Sequence, residues 1–142
     1  MIKQISVFVE NKKGKLVNVI SLLGKNDVNI RAMSVADTTD YGILRLIVDV
    51  PDQALKALQD EGMAARATDV IAAKMSDAPG GLAAVLEVLK DADIGVEYMY
   101  AFLGRIGQEA IVIFKLDDNE KGEALLKEKT FGIMEDEQVY KL

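Results

Sequence analysis

The stretch Glu10-Asn11-Lys12-Lys13-Gly14-Lys15-Leu16 returns, loosely rewritten, as Ser76-Asp77-Ala78-Pro79-Gly80-Gly81-Leu82. A shift of 66 positions sets Ile5 on Ile71, Gly14 on Gly80, Leu16 on Leu82, Val19 on Val85, Leu23 on Leu89, Asp27 on Asp93 and Met33 on Met99, without a gap. The match then continues at a slightly larger shift, Leu46 on Phe114 and Leu58 on Leu126, so the second copy carries a longer hairpin near Gly104–Gly107. Two unrelated amphipathic helices would not also share their flanking strands and turns. The chain is a duplication with the period of a small domain, longer than that of a solenoid.

Each copy reads strand, helix, strand, strand, helix, strand. Ile5, Val7 and Val9 alternate at the period of a strand, and Leu16, Val19, Ile20 and Leu23 follow at helical spacing. Strands are expected from about Val28 to Ala36 and around Leu44, Leu46 and Val48, with a turn across Thr38–Gly42. Pro51 and Asp52 open a second helix, with aspartate as its cap, and Gly62 ends it. The second copy predicts a strand around Ile71–Met75 and a helix carrying Leu82, Val85, Leu86 and Leu89. Strands near Ile94–Leu103 and Ala110–Leu116, a helix over Asn119–Lys129 and a last strand near Val139 complete it.

This order implies an α+β fold of two ferredoxin-like βαββαβ units, residues 1–68 and 69–142, packed as one body. A unit of that size is marginal alone. Phe8 and Ile47, and Ile111 and Ile113, fall on the sheet faces away from the helices, which predicts a cover: the sister unit or a second chain.

Composition removes whole classes of function. The 142 residues include no cysteine and no histidine, which excludes disulfides and thiol chemistry and makes zinc, haem or iron–sulfur sites unexpected. No Asp/Glu spacing resembles a calcium loop, so neither a metal nor a cofactor is expected. A net charge of −6 argues against nucleic acid, and Lys12, Lys13 and Lys15 are too short a basic cluster to track phosphates. No apolar run suits a signal segment or a bilayer span, so no membrane association and a cytoplasmic location are expected. Nothing resembles a nucleophile–base pair, so catalysis is not expected.

The loop Glu10–Leu16 followed by Val28-Asn29-Ile30, with its looser copy Ser76–Leu82 and Ile94-Gly95-Val96, resembles the signature of ACT domains across essentially the whole chain. That resemblance implies a regulatory protein that binds a free amino acid and acts on a separate metabolic enzyme, as the small subunit of acetolactate synthase does. It also implies side-by-side pairing, hence a homodimer. In serine-binding members, the asparagines of the loop and the second strand contact the ligand; these positions are Asn11 and Asn29. Val9 stands where some members have a histidine, which argues against serine as the ligand.

Physical chemistry supports the same residues. A helix start offers free N–H groups and a partial positive charge to a carboxylate. Asparagine can both donate and accept. The candidate ligand-binding residues are therefore Asn11, Lys13, Gly14, Lys15, Leu16, Asn29 and Ile30, with Asp77, Ala78, Gly80, Gly81 and Leu82 in the second copy. Gly95, standing in place of Asn29, makes the second site the weaker. Each candidate has a plainer reading. Gly14 and Gly80 suit turns, and Asn11 could bond its own backbone. Tyr98, Met99, Tyr100 and Phe102 suit packing as well as a pocket; Asp117, Asp118 and Glu120 suit helix capping better than an acid pair. The competing functional reading is an assembly module of the same fold that has lost its ligand. An RNA-binding domain shares the topology but would require a basic face.

Overall fold

Alternating and helical apolar patterns become, in chain order, β1 (Ile2–Glu10), α1 (Lys15–Lys25), β2 (Ile30–Asp37), β3 (Tyr41–Val48), α2 (Pro51–Asp60) and β4 (Ala64–Ser76). There follow α3 (Gly81–Asp91), β5 (Val96–Ile106), β6 (Glu109–Leu116), α4 (Asn119–Glu128), β7 (Gly132–Ile133) and α5 (Asp136–Tyr140). The structure, a computed structural model, describes residues 1–37 and 40–142, with the backbone alone at Arg105 and Ile106. The expected turn at Thr38–Gly42 thus lies partly outside the described residues.

The chain divides into two compact units, Lys3–Thr68 with Tyr140–Leu142, and Asp69–Val139 with Met1–Ile2. The boundary falls inside β4, which runs on through Thr68 and Asp69 as one strand.

In the first unit β3 lies antiparallel to both β1 and β2. Leu44 faces Val7 and Val35, Leu46 faces Ile5 and Met33, and Gly42 faces Val9 and Asp37. The odd-numbered apolar residues of β1 and the even-numbered ones of β3 share one side. There they pack with Val19 and Leu23 of α1 and Ala54 and Leu58 of α2. Fully burying each large side chain contributes about 1.5–3 kcal/mol. An exposed ion pair such as Lys56–Asp60 contributes only about 0.3–0.5 kcal/mol, so the apolar stripes decide which way the helices face. The C-terminal piece is tied in by Tyr140, whose hydroxyl accepts from the Lys3 N–H (3.0 Å) and whose carbonyl accepts from the Arg31 guanidinium (3.2 Å).

The second unit repeats the plan. β6 lies antiparallel to β4 and β5, and β7 adds a short pairing to β4. Ile71, Ala73 and Met75, Val112, Phe114 and Leu116 pack with Val85 and Leu89 of α3 and Leu126 of α4. The copies agree in backbone as well as sequence. Gly14 and Gly80 have φ of 85° and 86°, and Asp27 and Asp93 both have φ of 58°.

Two expectations are corrected. Val139 is buried in α5; the last strand is β7, because Gly132 and Ile133 reach β4 first. Asp52 does not cap α2. Its N-cap is Val50, and Asp52 sits in the first turn beside the Lys3 ammonium (2.8 Å). Ile47, Ile111 and Ile113 are fully buried within this single chain, so of the four residues assigned to an open face only Phe8, 45% accessible, is exposed. Among the described residues no helix is long and apolar enough to cross a membrane.

Candidate functional site

β1 ends at Glu10, and the chain enters α1 through a tight loop. The Asn11 N–H bonds the Asp40 carbonyl (3.0 Å), and the Lys12 N–H bonds the Glu10 carbonyl (2.8 Å). Gly14 then takes a left-handed conformation that an L side chain resists. A Cβ there would meet nothing within 4 Å, so glycine is required for its φ and not for space. The Asn18 N–H reaches back to the Gly14 carbonyl (3.2 Å) and the Lys15 N–H to that of Lys12 (3.3 Å). The N–H groups of Leu16 and Val17 are left with no partner inside the helix.

No side chain caps α1, and its first turn holds no acid. α3 is built the same way after Gly80. The other long helices differ: α2 has Asp52 in its first turn, and α4 has Asp118 accepting from the Lys121 N–H (3.0 Å) with Glu120 beside it. The two duplicated loops therefore leave positive helix ends uncompensated, while Asp118 and Glu120 are absorbed by capping.

A groove of about 120 Å³ opens beside the α1 start, walled by Val9, Leu16, Val35 and Leu44, with Gly42 in its lining and Glu10, Asn11, Lys12 and Asp37 contributing polar groups. A recess of about 300 Å³ adjoins it at Glu10, Asn11, Lys12, Asp40 and Tyr41. Another, of about 370 Å³, is lined by Phe8, Lys15, Asn18 and Met63 among others. Lys13 and Gly14 are exposed in the loop between. Glu10 pairs with the Lys12 ammonium (3.1 Å). That hydrogen bond, reinforced by the charges of Lys12 and Lys15, holds the Glu10 carboxyl below its usual range. The Asn11 side chain is exposed and bonds to no described residue.

Asn29 and Ile30 lie elsewhere. The Asn29 N–H donates to Asp49 Oδ1 (2.9 Å) and its carbonyl accepts from the Asp49 N–H (3.1 Å), a clamp at the far end of β3. Ile30 packs against the first core. Asn11 is held at the near end of β3 through Asp40. The strand has 8 residues, which puts roughly 25 Å between its ends at about 3.3 Å per residue. One free amino acid cannot touch both asparagines within a unit. The expectation that Asn11 and Asn29 share a ligand in the first copy is corrected on that ground.

In the second copy the Asp77 N–H bonds the Gln108 carbonyl (3.1 Å), repeating the Asn11–Asp40 bond, and Asp77, Ala78 and Gly80 are exposed. Gly81 has a steric reason: a Cβ there would run into the Ser76 carbonyl. Leu82 packs against the second core. Gly95 repeats the Asn29 clamp, its N–H donating to Asp117 Oδ2 (3.0 Å), and lines a recess of about 450 Å³ with Asp117 and Leu86. Tyr98, Met99, Tyr100 and Phe102 are half-buried or exposed on β5, outside the core cluster. Among the described residues no group of three acids is placed to hold a metal.

Gly42, Val35 and Asp37 were not anticipated as site residues. They reach the groove only through the pairing of β2 with β3, and a linear pattern does not show register.

The fold and site together define a duplicated α+β domain whose two matched helix starts are left open to solvent. Comparison with known proteins then fixes the family. The family described as ACT domain pair matches residues 1–142, and the chain belongs to it; no catalytic family is indicated. A crystal structure of a protein from Bacteroides thetaiotaomicron is similar at 39% identity, with a TM-score of 0.93, covering 99% of this chain and 96% of that one. The ligand-free regulatory subunit of aspartate kinase from Thermus thermophilus is similar in fold, at 16% identity, a TM-score of 0.64 and 88% of each chain. The corresponding subunit from Thermus flavus gives 15% and 0.63, again over 88% of each chain. No curated protein matches.

Proposed function

We propose that this protein is an amino-acid-binding regulatory protein whose principal site is the α1 start of the first unit. The observation that carries the reading is the uncapped, acid-free start of α1 opening beside an apolar groove. A free amino acid is a zwitterion. Its carboxylate suits the N–H groups of Leu16 and Val17, assisted by the exposed Lys13 and Lys15, and Asn11 can bond either end. Gly14 holds the loop in the shape that exposes those donors. The second loop, Asp77, Ala78, Gly80, Gly81 and Leu82, is the lesser site.

Each unit is read as ferredoxin-like from its element order and its antiparallel pairings. With no catalytic groups evident, the effect of the ligand passes to a separate enzyme; the likeness to aspartate kinase regulatory subunits supports that by analogy of fold alone. A homodimer completes the reading, with the exposed Phe8 and Tyr41 as its apolar contacts. Light scattering that shows a monomer at micromolar concentration removes that element.

A thermal-shift screen against the twenty amino acids tests the central claim. A ligand at about 100 times its dissociation constant adds about 2.7 kcal/mol of stability. If none shifts the melting temperature at millimolar concentration, the competing reading holds, an assembly module without ligand.

A further inference from the structure

We infer that the groove beside α1 selects amino acids with small branched aliphatic side chains, and that Gly42 sets its size. This rests on the amino-acid-binding reading and adds the class of ligand. The walls are apolar: Val9, Leu16, Val35 and Leu44. Leu16 and Val35 are also left 41% and 52% accessible, surface that a ligand would cover.

Charge complementarity points to an amino acid as the occupant. Asp37 lines the groove and has no ion partner among the described residues, so it is available to an ammonium. The free N–H groups of Leu16 and Val17, with Lys12 on the rim, suit a carboxylate. Glu10 and Asn11 also line the groove, with Glu10 already paired to Lys12. The remaining walls are hydrocarbon, so a charged or amide side chain laid against them would lose water without a partner. Size narrows the class. An apolar cavity of about 150 Å³ holds a benzene ring, so about 120 Å³ takes a three- or four-carbon branched chain and leaves out an indole.

Gly42 makes the space. Its φ is not left-handed, so its backbone does not demand glycine, and a Cβ would lie 3.7 Å from the carbonyl oxygens of Val9 and Ala36, an ordinary contact. Alanine therefore fits the fold and fills the groove. The second copy has made that substitution. Ala110 stands opposite Met75 as Gly42 stands opposite Val9, and the longer Met75 is buried.

Calorimetry on the full chain, with leucine, isoleucine, valine, alanine, serine, aspartate, lysine and tryptophan as probes, tests this. The expected order is leucine or isoleucine above valine above alanine, at about fourfold per methylene, with no binding of aspartate, lysine or tryptophan. Gly42→Ala should keep the ligand-free melting temperature and lose tenfold or more in leucine affinity. Val35→Ala, at an exposed position, should fold normally and lose about threefold or more. An amino acid that binds without this order, or with affinity unchanged in both variants, overturns the aliphatic assignment and leaves the amino-acid reading standing. Binding of none of the probes overturns the assignment; the twenty-amino-acid screen separately decides the wider reading.

Discussion

Replacing Asn11 by alanine removes an exposed amide that bonds to no described residue, so the free protein should lose less than about 0.5 kcal/mol. The same change removes a neutral side chain in the loop before α1 that is able to bond either end of a zwitterion. A hydrogen bond to a charged group contributes about 1.5–3 kcal/mol, and affinity should fall about 10- to 150-fold. Asn29→Ala is the matched control. The backbone clamp to Asp49 survives it, and the side chain it removes is at the other end of β3. Its effect on affinity should stay within about twofold. Calorimetry on wild type and both variants, with whichever amino acid gives the largest thermal shift, reads the difference directly. Loss of binding in Asn29→Ala with Asn11→Ala unaffected would refute the placement of the site. Loss in both would show that one ligand is shared between Asn11 of one chain and Asn29 of another.

Two further outcomes follow from the same geometry. The Glu10 carboxyl should titrate below the usual range, and Lys12→Ala should raise it toward the ordinary value, as NMR titration of the side-chain carboxyl can show; because its pKa is depressed in the folded state, any stability from the pair is complete above the unfolded value and fades as pH falls through the folded one. Gly24→Ala in α1, where a Cβ meets nothing within 4 Å, should stabilise by about 0.5–1 kcal/mol. Gly122→Ala in α4, where the Cβ would strike Leu116, should destabilise by about 1–3 kcal/mol, and chemical denaturation separates the two signs.

The fold was legible because its signals are local and doubled. Ile5, Val7 and Val9 announce a strand by alternation, Leu16, Val19 and Leu23 a helix by spacing, and each pattern recurs 66 positions on. The failures came where tertiary contacts override local preference. Asp52 has the chemistry of a cap, but Pro51 takes the first helical position and moves the cap back to Val50. Val139 has the β-branching of a strand, yet it lies buried in α5, and the last strand is the short β7 paired to β4. The loop half of the candidate site, Asn11 through Leu16, was visible as a motif. Its groove half, Val35, Asp37 and Gly42, was not, because those residues meet only through the β2–β3 register.

The two copies offer a comparison between a shared helix start and a differing groove. Gly14 and Gly80 share one conformation to within a degree in φ, and both helices start uncapped. If the helix start were sufficient, the copies would bind alike. They differ one step deeper, where Val9 and Gly42 become Met75 and Ala110 on paired strands. Added carbon at those two positions should narrow the space that the first copy keeps open, and each methylene forfeited by a ligand weakens it about fourfold. The second loop also presses closer to its strand, since Gly81 tolerates no Cβ against Ser76 where the first copy carries Lys15. Opening the second groove should therefore require changes at both Met75 and Ala110, and Ala110→Gly alone should leave the second loop the weaker site, as calorimetry on that variant would show.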